Sequence, residues 1–400
     1  MSKPHSHSTD LQGLSRMTID AIVGIVGIVE ETHLNILKST GKLGAPIHGP
    51  LSGATSLVYR GIRGVARLTG TGLDALLAQL TPLLGNSSTW AGRNAVLSAL
   101  NGVLGDYLAA SGNPLAIGMQ LRRNGKPLEL NKSALAHALP KASGRILILV
   151  HGLCMNDLQW RRRGHDHGAT LAAKRGYTPV YLHYNTGLHI SSNGREWAEQ
   201  LESLVREWPV PVEEVVFLCH SMGGLVTRSA WHYGDAADHR WCRLTSKMVF
   251  LGTPHHGAPL ERGGNWFHVI TDISPYTAPF SRLGKIRSAG ITDLRYGNLL
   301  EADWQGRERF AQDGDCRHPM PLPRGVQCFA IAATTGKQAG DLSDRLLGDG
   351  LVPLASALGM HEHPNLNLNF ASDNQWIACK TNHLGLLYRN EVTKQLLSWL

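Results

Sequence analysis

The chain has 400 residues, of which 42% are hydrophobic and 18% charged, and its formal net charge is +8. These values exclude a disordered or collagen-like chain and allow one large core with an appended segment. The basic residues are scattered and carry no zinc-finger or RNA-binding pattern, so no nucleic-acid partner is expected; an anionic membrane surface suits the excess charge better.

Residues 1–140 read as an N-terminal helical segment. Apolar residues recur at helical spacing over Ile19–Lys38, Leu57–Leu84 and Asn94–Leu108. One reading is a helical cap on the main domain, since apolar stripes usually face a core. The other is an amphipathic surface in peripheral contact with a membrane. The start, Met1–Asp10, is polar and shows no secretory signal. The apolar run Ala21–Val29 is far short of the ~20 residues that span a bilayer. A cytoplasmic chain with reduced thiols is therefore the expectation. None of the six cysteines lies in a C-x-x-C pair, so no zinc site is expected; Cys316 and Cys328 would bridge only in an oxidising compartment.

Residues 141–400 have a different rhythm. A hairpin is predicted just before them, around Asn124-Gly125. Arg145–Val150 is a continuous apolar run, as in a strand buried on both faces. Strands follow at Pro179–Tyr184, Glu214–Leu218, Lys247–Leu251 and Val326–Ala332. Helices are expected to end near Arg175 and to cover Arg195–Trp208, Met222–Tyr233 and Leu384–Leu400. The alternation predicts an α/β fold with a mainly parallel sheet and helices on both faces. The rhythm breaks over 258–324, a lid-like insertion or a peripheral excursion.

Four segments carry chemistry. In Val215–Val226 an apolar strand runs into Ser221 and a helix starts at once, the sharp turn that lifts a serine nucleophile above a sheet edge. Positions two before and two after must be small. Gly223 meets this, and Cys219 stands where glycine is commonest. Val150-His151-Gly152-Leu153 follows the first buried strand, where backbone N–H groups of Leu153 and Met222 would form an oxyanion hole; His151 is read as structural. Asp349, on a glycine-flanked turn, is the candidate acid, with Asp341 and Asp344 as rivals. His383 is the candidate base among twenty histidines, with His361 and His363 less well placed. Ser221, Asp349, His383 is the chain order that such a sheet uses.

Together the motifs VHGL, HSMGG, GTPHHG, GDGLVP and NHLGLL resemble the bacterial lipase and GPI-inositol-deacylase-like branch of the α/β-hydrolases. The resemblance covers about residues 145–400 and stops short of the N-terminal segment. It implies the α/β-hydrolase fold, a triad of Ser221, Asp349 and His383, oxyanion donors Leu153 and Met222, and a supporting role for His255. Relatives of this kind sometimes hold calcium; no calcium ligands can be assigned here. The expected activity is cleavage of carboxylic esters, lipid or acyl esters above all, through an acyl-enzyme and without metal or organic cofactor. An acyltransferase on the same triad is the nearest alternative. A non-catalytic scaffold that binds lipid or a protein partner is the alternative of another class.

Overall fold

The computed structural model describes Leu77, Thr81 and residues 93–258, 287–308, 314–337 and 348–400. The helices expected over Ile19–Lys38 and most of Leu57–Leu84 lie outside these residues, as do most of 258–324 before Arg287 and the rival carboxylates Asp341 and Asp344.

The elements run α1 (Arg93–Ala110), β1 (Gln120–Arg123), β2 (Lys126–Pro127), α2 (Lys132–Ala138), β3 (Arg145–Val150), α3 (His167–Arg175), β4 (Thr178–His183) and α4 (Ile190–Glu207). There follow β5 (Glu214–His220), α5 (Met222–Ala236), α6 (Arg240–Leu244), β6 (Thr245–Leu251), α7 (Ala289–Asp293), β7 (Gln327–Ala333), α8 (Leu354–Ala357), β8 (Gln375–Ala378) and α9 (Asn390–Trp399). Among the described residues the strands form one sheet in the order β2-β1-β4-β3-β5-β6-β7-β8. Strands β3 to β8 pair in parallel, and β1 pairs antiparallel with both β2 and β4. The expected α/β architecture is thus observed.

Ile146–Val150 of β3 are each 0% exposed. Alternate side chains of a strand point to opposite faces, so their complete burial means that both faces are covered. At about 2 kcal/mol per buried aliphatic side chain, this stretch alone contributes on the order of 10 kcal/mol before chain entropy is subtracted. Helix α4 packs along α5 with α6 beside them, while α3 packs against α9.

The predicted hairpin forms between β1 and β2, with Asn124 and Gly125 both at positive φ. The closing helix differs from expectation. His383–Leu387 is a 3-10 turn, Tyr388 leaves the helical region at φ −142°, and α9 starts only at Asn390. The cause is local. The His383 N–H donates to the Asp349 carbonyl at 3.1 Å, and the Asn382 side chain caps the turn through Gly385 N at 2.8 Å. The chain at His383 is pinned to the turn after β7 and cannot also run straight into α9. Strand β8 was not foreseen; its residues Gln375–Ile377 are only half-buried and carry no continuous apolar signal.

Helix α1 confirms the helical reading of Asn94–Leu108. Val96, Ala99, Leu100, Val103, Leu104 and Leu108 are buried, so this helix turns its apolar side inward. Its polar ties go to the loop after β4 and to the start of α7. Asn185 Nδ2 donates to Gly105 O at 2.9 Å, Ser288 Oγ to Gly102 O at 2.6 Å, and Ala289 N to Asp106 Oδ2 at 3.1 Å. Asn101, fully buried, donates to Leu97 O and Leu115 O and accepts from Ile117 N. Among the described residues no helix is long and apolar enough to cross a membrane.

Candidate active site

Strand β5 delivers Ser221 to the C-terminal edge of the sheet. Its backbone sits at φ 55°, ψ −129°, a conformation that costs a non-glycine residue roughly 1–3 kcal/mol. The strain is held from both sides: Ser221 N donates to Leu251 O at 2.9 Å, and Gly224 N to Ser221 O at 3.0 Å. Close approach explains the small residue at 223. A Cβ on Gly223 would lie 2.5 Å from the carbonyl oxygen of Val150, at the end of β3. Cys219 fits at the glycine-preferring position because its thiol is fully buried and donates to Thr227 Oγ1 at 3.2 Å, one helical turn beyond the elbow. Ser221 retains 7% of its exposure, so the serine is largely covered.

The candidate acid and base meet. His383 Nδ1 lies 2.7 Å from Asp349 Oδ2, and both residues are buried. Asp349 Oδ1 accepts from Leu351 N at 3.0 Å and Val352 N at 2.9 Å, which fixes the carboxylate plane. Because the carboxylate accepts at Nδ1, that nitrogen carries the hydrogen and Nε2 carries the lone pair. Nε2 is buried and has no partner among the described residues. Gly252, just past β6, sits at φ +57°, and a Cβ there would fall 2.8 Å from Leu386 Cδ1, 3.1 Å from His383 Nδ1 and 3.2 Å from Asp349 Oδ2, so glycine keeps this pair uncrowded.

Leu153 and Met222, the expected oxyanion donors, are the residues next in the chain after Gly152 and Ser221, which lie against each other. Met222 opens α5, where unpaired N–H groups favour a developing negative charge. Leu153 follows Gly152, whose Cβ position would lie 2.8 Å from Ser221 Cβ. Cys154 N is tied to Thr186 Oγ1 at 3.1 Å, which holds the loop. His151 is structural here: its ring stacks on Tyr184 with centroids 4.6 Å apart, and Nδ1 donates to Gly152 O at 2.9 Å. His255 stays apart from the pair and lies 3.3 Å from Arg228 through Nδ1. The rivals His361 and His363 stack on each other, and His361 faces Asp315 at 3.7 Å, remote from Asp349 in the hydrogen-bond network. Cys316 is exposed and Cys328 is buried.

One residue of this site was missed in the sequence. His220 precedes Ser221, its Nε2 donates to His383 O at 3.2 Å, and the two rings stand 4.6 Å apart. It fastens the segment carrying the imidazole to the segment carrying the hydroxyl. Its adjacency to Ser221 was a signal, obscured by the abundance of histidine.

Several imidazoles are held neutral by burial. It pushes His151 and His167 down to about 4, and His183, His220 and His255 well below the ordinary range, with neighbouring cations adding to the push on His183 and His255. In the unfolded chain these rings regain a pKa near 6.5, so the unfolded state takes up protons first as the pH falls. Stability is full above about pH 6.5 and declines towards pH 4, by about 3 kcal/mol each for His151 and His167 once titrated. Thermal melts should show Tm falling steeply between pH 6.5 and 4; a flat Tm over that range would contradict neutral buried rings.

Residues 141–320 match the family model described as PGAP1-like alpha/beta domain. No curated protein matches the chain. Solved structures similar to it include the mature form of a Bacillus licheniformis lipase, at 19% identity and TM-score 0.44, covering 70% of this chain and 97% of that one. Aspergillus fumigatus lipase B is 11% identical with TM-score 0.38, covering 68% of this chain and 57% of its own. A Pyrococcus furiosus esterase is 12% identical with TM-score 0.38, covering 65% and 81%. A PGAP1-like match runs through the strand–elbow–helix unit, and the mainly parallel sheet built around that elbow has the α/β-hydrolase fold.

Proposed function

We propose that this protein is a serine esterase that cleaves carboxylic esters, with acyl or lipid esters as its substrate class. The supporting observation is the buried Asp349–His383 pair, whose imidazole keeps an unpartnered Nε2, beside a strained Ser221 at the mouth of a parallel sheet. In this reading His383 Nε2 takes the Ser221 proton as Oγ attacks the ester carbonyl. The amides of Leu153 and Met222 receive the oxyanion; losing one such donor typically costs about 10²–10³ in rate. His383 then protonates the leaving alcohol, and water repeats the attack on the acyl-enzyme. His220 and Asp349 keep the imidazole aimed throughout.

The test is a p-nitrophenyl ester series from acetyl to palmitoyl, run with fluorophosphonate labelling. Turnover together with a label on Ser221 is the expected result. Rates that peak at long chains would specify a lipase-like acyl groove, and a short-chain peak a carboxylesterase. A chain that neither turns over esters nor takes the label would be a scaffold, and the proposal would fall. Label without hydrolysis, restored by added alcohol, would make it an acyltransferase.

A further inference from the structure

The loop after β3 contains a tight turn, in which Gly152 O accepts from Met155 N at 3.3 Å. Its third residue, Cys154, sits at φ 58°, a left-handed backbone that favours glycine. The amides of this turn are unequally used. Cys154 N donates to Thr186 Oγ1 at 3.1 Å, and Met155 N closes the turn. The Leu153 N–H has no acceptor among the described residues. The amide left unspent is thus the oxyanion donor of the proposed mechanism.

Helix α1 presses on this turn. Gly102 lies in the middle of the helix, where glycine is less favourable than alanine. A Cβ there would fall 2.1 Å from Cys154 Sγ and 3.1 Å from both Cys154 Cα and Cβ, so an alanine would have to push the thiol and the turn aside. The cysteine is fully buried, with Sγ 4.0 Å from Ala99 O. Burial pushes its thiol well above the ordinary range, so it acts as a neutral wedge and not as a nucleophile. Nearly one helical turn further on, a Cβ at Gly105 would fall 1.8 Å from Asn185 Oδ1, and Asn185 Nδ2 donates to Gly105 O at 2.9 Å. Asn185 precedes Thr186, the residue that holds Cys154 N. The helix therefore grips the turn twice. It does so directly through the Cys154 side chain, and indirectly through a loop bound to the same helix.

We infer that α1 braces the oxyanion hole, with Gly102 and Cys154 as positioning residues that set the Leu153 N–H. The inference rests on the serine-esterase reading and adds to it an element that precedes the whole sheet in the chain. The test uses the full chain and expresses kcat per serine labelled by fluorophosphonate, which removes any misfolded fraction from the comparison. Gly102→Ala is expected to lower that kcat by about 10², with KM and the pH dependence unmoved, because the Asp349–His383 pair is untouched. A role in packing alone would lower Tm and the labelled fraction but leave kcat per labelled serine at the wild-type value, and that result would overturn the inference. Adding Cys154→Gly removes the thiol that the new methyl displaces and suits the φ of 58°. The double variant should therefore recover most of the lost rate; no recovery would count against the brace. Cys154→Gly alone introduces no clash and decides the matter where Gly102→Ala does not fold. It should lower kcat about tenfold, and an unchanged kcat would again overturn the inference. A wild-type chain with neither turnover nor label would bring down the serine-esterase reading and this inference with it. An active, labelled wild type with an indifferent Gly102→Ala would bring down the inference alone.

Discussion

Replacing Ser221 by alanine is expected to lower kcat on activated esters by on the order of 10⁶, leaving only background hydrolysis. The fold should survive. The backbone bonds that hold the elbow, from Ser221 N to Leu251 O and from Gly224 N to Ser221 O, do not involve the hydroxyl. Removing one oxygen at a residue already 7% exposed leaves a space that a water can occupy. Kinetics and thermal melts on one preparation check both halves. More than about 1% residual activity at unchanged Tm would show that another group is the nucleophile.

Asp349→Asn is expected to lower kcat by about 10⁴ with little change in KM. The amide is nearly isosteric, and the two backbone donors at Leu351 and Val352 fix its orientation. They hold the oxygen where Oδ1 now sits, so the NH₂ group faces His383 Nδ1. That nitrogen must then accept, the ring hydrogen moves to Nε2, and the imidazole can no longer take a proton from Ser221. A loss in KM with kcat preserved would mean that the carboxylate serves binding. Unchanged kinetics would return the acid role to Asp341 or Asp344.

Sequence patterns conveyed the parallel sheet because strands buried on both faces need unbroken apolar runs, as in Ile146–Val150 and Val215–Leu218. Ser221 was legible for a related reason: a strand, a small-residue turn and a helix in immediate succession leave few other geometries. The pairing of Asp349 with His383 was inferred from chain order, and it rests on contacts that no local pattern encodes. The turn at His383 is set by a backbone bond to Asp349, so helical periodicity over Leu384–Leu400 concealed the break at Tyr388. Strand β8 lacks an apolar run, and His220 was hidden among many histidines. The rank of Cys219 depended on a neighbour, Thr227, whose hydroxyl only the folded helix brings to the thiol.

The link from His220 to His383 spans 163 positions of the chain. Loop-closure entropy makes such long-range contacts slow to form, so their assembly belongs to the late part of folding. During synthesis at about 5–20 residues per second, roughly 8–30 s pass between completion of β5 and the emergence of His383. In the proposed mechanism, a nascent chain in that interval would carry the serine and its elbow with no imidazole to activate them. On that reading the order of residues along the polypeptide would act as a timer, in which the proposed hydrolytic competence arrives only after the sheet that supports it is complete.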